Sequence, residues 1–142
     1  EGYIQAMIKN RLKFDPSLVV NTDLNPSSIV EATRELLSSK RKPTAIVTFN
    51  DYVALDAIKY ARSKRLRINK DISFVSYSNQ PLNSYSAFPP LASVEQFPYL
   101  QGQKAAETLL ELFNRREFET ESNHTYYKII LESQLMIHNR RQ

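Results

Sequence analysis

The chain has 142 residues, 42% of them hydrophobic and 24% charged, with no cysteine, two glycines and a formal net charge of +4. These values suit a folded globular chain, one domain or part of a larger one, rather than a disordered segment. They exclude disulfides, thiolate catalysis and zinc–thiolate sites. They also exclude a glycine-rich phosphate cradle and a membrane-spanning helix, which needs an apolar run of roughly 18 residues.

The start at Glu1-Gly2-Tyr3-Ile4 has neither an initiator Met nor a signal-peptide pattern, as expected of a piece of a longer protein. Ile4, Met7, Ile8 and Leu12 recur at helical spacing, which predicts an amphipathic helix over 2–12, broken at Phe14-Asp15-Pro16. Leu18-Val19-Val20 is a short strand candidate. Asn25-Pro26 reads as an N-cap with Pro in the first turn, opening a helix to about Ser39 whose stripe is Ile29, Thr33, Leu36 and Leu37.

Ala45–Phe49 predicts a buried strand that runs straight into a helix over 51–64, with Ala54, Ile58 and Ala61 on one face. Ile72–Tyr77 is the next strand. The strand centres are 27 residues apart from Val19 to Ile46 and 28 from Ile46 to Phe74. That repeat predicts βαβ units: an α/β fold with a parallel, right-handed sheet flanked by helices. Beyond it come a loop at Ser78–Pro81, a weak helical turn at 82–87 and an extended segment at Leu91–Gln96. A helix at about 98–114 follows, with Ala105, Ala106, Leu109, Leu110 and Phe113 on its apolar face. Residues 115–123 read as a polar loop, and 128–131 and 134–137 as the last strands.

The junction at Asn50 carries the functional interest. A strand turning directly into a helix sets the first-turn N–H groups at the carboxyl end of the sheet, where open parallel sheets bind ligands. Asn50 is a helix cap, a ligand contact, or both. Asp51 is either an acid complementing the helix dipole or a further contact. Ser78 and Asn79 read most simply as turn formers. The basic clusters at 40–42, 62–67 and 140–141 read as solvated helix ends rather than a nucleic-acid surface. His124 and His138 stand far apart with no carboxylate at metal spacing, so no metal site and no cofactor are expected. No Ser/Cys–His–acid order or carboxylate pair at a pocket edge suggests an enzyme.

Several stretches in order resemble the effector-binding domain of the lactose-repressor (LacI/GalR) family of bacterial transcription regulators. They are Pro43-Thr44-Ala45-Ile46 into Asn50-Asp51 and Ala54-Leu55, Leu66-Arg67-Ile68 into Asp71–Val75, Pro90–Gln96, and Gly102 with Ala105-Ala106 and Leu109-Leu110. The resemblance covers nearly the whole chain. It implies a two-lobed, periplasmic-binding-protein-like fold, with 1–95 forming an incomplete C-terminal lobe. Residues 96–124 would be a crossing segment and a helix of the N-terminal lobe, and 125–142 would hold returning strands. It further implies a cytoplasmic homodimer with no membrane association, binding a small effector, a sugar or similar metabolite. Operator DNA would be reached only through a headpiece upstream.

By position, the resemblance points to Asn50, Asp51, Ser78, Asn79, Leu24 and Gln96 as ligand-binding. Ser78 stands where many members have a sugar-binding Asp, and Leu24 where an aromatic often stacks; both are departures. Leu55, Ile58, Lys59, Leu82 and Tyr85 fall on surfaces that form the family's dimer, although Leu55 and Ile58 could equally pack on the sheet. The alternative function is a periplasmic sugar-binding receptor of a transport system, which shares the fold.

Overall fold

The structure, a computed structural model, describes residues 1–114 and 128–138. Its elements in chain order are α1 (Gly2–Lys9), α2 (Pro26–Ser38), β1 (Ala45–Val47), α3 (Asp51–Ser63), β2 (Ser73–Tyr77), β3 (Ala92–Glu95), α4 (Pro98–Asn114) and β4 (Gln134–Ile137). Short 3-10 turns occupy Pro16–Leu18 and Pro81–Tyr85.

Four strands form one sheet in the order β1-β2-β3-β4. β1, β2 and β3 are parallel, with Ile46 opposite Phe74 and Ser76 opposite Ser93. β4 returns antiparallel to β3, with Val94 opposite Leu135. The α/β expectation holds, and the antiparallel edge strand is an addition to it.

Alternation explains the core. Ile46, Phe74 and Ser76 point to one face of the sheet, and on that face α3 and α2 pack. The α3 stripe of Val53, Ala57, Ile58 and Ala61 meets Ile29 of α2 and Phe74 of β2. Thr33 joins the buried side of α2, with its hydroxyl returned to the Ile29 carbonyl at 2.7 Å. The opposite face is open at Val47, 55% exposed, and Tyr77, 41%, whereas Ala92, which shares that face by pairing with Val75, is buried. Strands that read as nearly continuous apolar runs are covered on both faces in parallel sheets, and here the second face is covered only at β3.

Several expectations are corrected. Leu18-Val19-Val20 is not a strand. Val19 has extended dihedrals (φ −115°, ψ 112°), but no described strand lies beside it to complete a ladder. A groove of about 280 Å³ separates Val19 and Val20 from Ala45, Ile46 and Val47 of β1. Residues 128–131 do not form a strand either. The α4 helix forms as predicted, yet none of its residues is buried and it does not dock on the sheet. The loop over 115–123, together with His124 and Arg140-Arg141, lies outside the described residues.

Two helices stop by the same device. In α1, Arg11 N–H bonds the Ile8 carbonyl (3.0 Å) and Leu12 N–H the Met7 carbonyl (2.9 Å), so the helix ends at Lys9 rather than running to residue 12. In α3, Arg65 N–H reaches the Arg62 carbonyl (2.8 Å) and Leu66 N–H the Ala61 carbonyl (3.2 Å). Both are Schellman closures, and both place an arginine at the left-handed position, Arg11 at φ 56° and Arg65 at φ 64°, where glycine is usual. The turn into β2 is then clamped by Asp71. It accepts from Arg67 N–H (2.7 Å) and from the Arg67 guanidinium (2.5 Å), which hold its carboxyl down to about 2.

A side chain in the left-handed region costs roughly 1–2 kcal/mol, partly offset by the lower chain entropy of a non-glycine. Arg65→Gly is therefore expected to raise the unfolding free energy by about 0.5–1 kcal/mol, read as a higher urea midpoint at unchanged slope. A lowered midpoint would contradict this account of the α3 stop.

Candidate functional site

The parallel strands end on one edge, and the polar residues collect there. α2 runs down to the start of β1, and α3 leaves from the end of β1, so the N-termini of both helices share that carboxyl edge. Asn50, Asp51, Ser78, Asn79 and Gln96 follow the ends of β1, β2 and β3, and Leu24 precedes α2 on the same edge.

Asn50 takes the capping role. Its Oδ1 accepts from Val53 N–H at 3.0 Å, and its Nδ2 makes no hydrogen bond to a described residue. Asn50 thus closes the helix with one end of its amide and keeps a donor at the edge. Ser78 (φ 93°) and Asn79 (φ 47°) turn the chain through left-handed conformations. Ser78 N–H extends the β3 pairing to the Val94 carbonyl (3.0 Å). Asn79 Nδ2 donates to Glu95 Oε2 at 2.9 Å, and Phe97 N–H donates to Glu95 Oε1 at 2.7 Å. Those two bonds, the one from Asn79 foremost, hold the Glu95 carboxyl below its usual range. Leu24 also has a positive φ, 68°, and is half exposed. The Gln96 side chain is exposed, and its carbonyl accepts from Gln101 Nε2 at 2.6 Å.

Asp51 stands in the first turn of α3, as the dipole reading expects, but not as an exposed contact. It is fully buried, 0% exposed, beneath the edge rather than on it. Oδ1 accepts from Ser76 Oγ and from Ser93 Oγ (2.9 Å), and Oδ2 accepts from Gln80 N–H (2.6 Å). Burial pushes its pKa up; the hydrogen bonds from Ser76, Gln80, Asn83 and Ser93 outweigh burial and hold the carboxyl below its usual value. The network extends through Ser93, which contacts Asn83 Nδ2 at 3.2 Å and His138 Nε2 at 2.9 Å. Asn83 Oδ1 is buried with no hydrogen-bond partner among the described residues.

The sequence reading missed Glu95, Ser76, Ser93, Asn83 and His138. A signal for two of them was present. Ser76 and Ser93 fall on the inward face of otherwise apolar strands, and a buried hydroxyl requires a partner. Ser93, His138 and Asp51 do not form a hydrolytic triad, because the carboxylate bonds the serine rather than the imidazole and Ser93 is fully buried. Among the described residues, no group of three or more metal-ligating side chains occurs.

Of the residues expected at a dimer surface, Ile58 is corrected. It is 3% exposed and belongs to the core between α3, α2 and the sheet. Leu55 and Leu82 are half-buried, Lys59 is exposed and Tyr85 is 89% exposed.

The profile of the periplasmic binding protein-like domain matches residues 1–130. The chain belongs to that family, of the LacI/GalR regulator type. It is 33% identical over 118 residues to the HTH-type transcriptional repressor PurR of Aliivibrio salmonicida (strain LFI1238), covering 83% of this chain and 35% of that protein. A LacI-family regulatory protein from Chloroflexus aggregans superposes with a TM-score of 0.81 at 32% identity, over 96% of this chain and 47% of that one. A complex of the transcriptional regulator CelR with cellobiose gives a TM-score of 0.81 at 26% identity, over 96% of this chain and 39% of that one. The chain thus spans less than half the length of these proteins. No described helix is long and apolar enough to cross a membrane.

Removing the buried carboxylate leaves two hydroxyls and the Gln80 N–H without their acceptor. Asp51→Ala is expected to cost about 2–4 kcal/mol at neutral pH. A carboxyl lowered in the folded state contributes stability above its unfolded value of about 3.9, and that contribution is lost as pH falls through the lower folded value. The gap between wild type and Asp51→Ala in urea unfolding should therefore narrow on acidification from about pH 6 to about pH 2. A gap that stayed constant over that range would exclude an ionised Asp51.

Proposed function

We propose that this chain is the effector-sensing part of a helix-turn-helix transcription regulator, and that the carboxyl edge of its sheet is one wall of a crevice for a neutral sugar or similar polyhydroxylated metabolite. The observation that carries the reading is the strand-end cluster itself. The spare Nδ2 of Asn50, the Ser78 hydroxyl and the Asn79–Glu95 pair stand on adjacent strand ends over a buried, fully bonded Asp51. Such a wall offers both donors and acceptors, which hydroxyl groups require. A neutral ligand is favoured over an anion because Glu95 is held ionised here, while the Lys/Arg clusters at 40–42 and 62–67 follow the C-terminal ends of α2 and α3, at the other edge. Relatives named as repressors, and a fold neighbour solved with cellobiose, support the regulator over a transport receptor or an enzyme. A cytoplasmic location follows from that reading.

The titration that tests this uses the natural full-length protein with a panel of mono- and disaccharides. Asn50→Asp keeps the acceptor that caps α3 and replaces the edge donor with a second oxygen. Stability should change by less than about 1 kcal/mol while affinity for the bound sugar falls about tenfold or more. Unchanged affinity would remove Asn50 from the site, and binding of no sugar in the panel would refute the ligand class.

The two-lobed division belongs to the same reading. We propose that residues 1–95 are C-terminal lobe and that α4 and 128–131 serve the other lobe. The free edge of β1 facing the groove, the open sheet face at Val47 and the wholly unburied α4 all support it. A homodimer through Leu55, Lys59, Leu82 and Tyr85 completes it. Hydrogen exchange on the full-length protein should find the Ala45–Val47 amides, α4 and the 82–85 turn all slow. Fast exchange at α4 would sink the lobe assignment, and fast exchange confined to 82–85 would sink the dimer surface.

A further inference from the structure

Ser93 Oγ lies within hydrogen-bond distance of four side chains: Ser76 Oγ at 2.8 Å, Asp51 Oδ1 and His138 Nε2 each at 2.9 Å, and Asn83 Nδ2 at 3.2 Å. A hydroxyl has one hydrogen and two lone pairs, so the protons can be assigned. Asn83 Nδ2 can only donate. The single hydrogen of Ser76 is committed to Asp51 Oδ1, the tightest contact in the group. The hydrogen of Ser93 then has three possible directions: the carboxylate, Ser76 Oγ or the imidazole. If it went to the imidazole, Ser93 Oγ would face an ionised oxygen and a second hydroxyl oxygen with no proton toward either. Directed at Asp51 it makes a charge-assisted bond, the stronger kind, leaves one contact rather than two without a proton, that between Ser76 and Ser93, and keeps the Ser93 lone pairs for donors. His138 Nε2 must then carry a hydrogen.

We propose that His138 donates through Nε2–H to Ser93 Oγ and is a positioning residue for the 78–80 loop. By occupying a lone pair of Ser93 it keeps the Ser93 hydrogen on Asp51, and Asp51 in turn fixes Gln80 N–H and with it the left-handed turn at Ser78 and Asn79. His138 sits just beyond β4, where its own N–H bonds the Leu91 carbonyl at 3.0 Å. The residue that follows β4 is thereby tied to a loop at the end of β2 through one serine and one carboxylate. The loop's role as ligand wall rests on the function proposed above. The readouts below need no ligand, so failure of that function and failure of this inference are told apart.

The experiment is nuclear magnetic resonance on the natural full-length protein. A long-range proton–nitrogen spectrum at neutral pH is expected to show a hydrogen on His138 Nε2. A bare Nε2 would overturn the proposal. His138→Gln places an amide N–H near the Nε2 position, and His138→Leu supplies none. The Gln80 amide should keep its exchange protection in the first variant and lose about tenfold in the second. Equal loss in both would assign His138 a shape role only, and no loss in either would detach it from the loop; both results overturn the proposal. If His138→Leu does not fold, the tautomer and the glutamine variant decide it.

Discussion

The geometry of the strand ends depends on one buried charge. A carboxylate withdrawn from water costs several kcal/mol unless donors replace its hydration. Asp51 collects them from β2 (Ser76), β3 (Ser93) and the loop beyond β2 (Gln80 N–H), while its own place in the first turn of α3 sets it against the positive end of a helix. Three stretches distant in sequence, the start of α3, residues 76–80 and β3, are thus required to meet at one point. Moving the 78–80 loop would strip the anion of a charge-assisted bond, so the loop is held by electrostatics where few apolar contacts are available to hold it.

The arrangement divides labour between two neighbours in sequence. Asn50 and Asp51 occupy the same junction, yet one faces the edge and the other is buried. Asn50 is half-buried, caps α3 and retains a donor; Asp51 is sealed and touches no solvent. In the proposed crevice a ligand would meet Asn50, Ser78 and Asn79 directly and would feel Asp51 only through the positions it imposes. Preorganisation of this kind, an exposed set of polar groups fixed by a bonded set beneath it, is what lets a shallow polar wall bind without first paying to order itself.

The fold was legible where periodicity and caps agree. α2 follows from Asn25-Pro26 and the Ile29/Thr33 stripe, α3 from Asn50 and the Ala54/Ile58/Ala61 stripe, and the parallel pairing of β1 and β2 from their regular spacing. It was illegible where partners decide. Leu18-Val19-Val20 has the composition of a strand, but a strand exists only beside another, and the described chain supplies none there. The strand-end cluster of the candidate site was half legible. Asn50, Ser78 and Asn79 stand where a strand–loop junction puts them. Asp51 gave no sign of its burial, because an acid in a first helical turn is ordinary on a surface. His138 gave none either, since nothing local links it to Ser93, 45 residues earlier.

Scarcity of glycine sharpens the reading of the turns. Neither glycine has a positive φ, and left-handed backbone falls instead on Arg11, Leu24, Arg65, Asn69, Ser78, Asn79 and Phe97. Asn tolerates that region, and the two arginines sit at helix stops where the Schellman bonds offset the strain. Leu24, Ser78 and Phe97 have no such excuse from residue type, and all three lie on or beside the carboxyl edge. Strained side-chain-bearing residues persist where surrounding bonds over-determine them. For Ser78 those bonds are visible: its own N–H on the Val94 carbonyl and the neighbouring Gln80 N–H on Asp51. Replacing Ser78 by glycine would relieve the strain but remove a hydroxyl from the wall. The chain therefore keeps a side chain at a position that backbone energetics alone would give to glycine, and it does so at the edge where a side chain can meet a ligand.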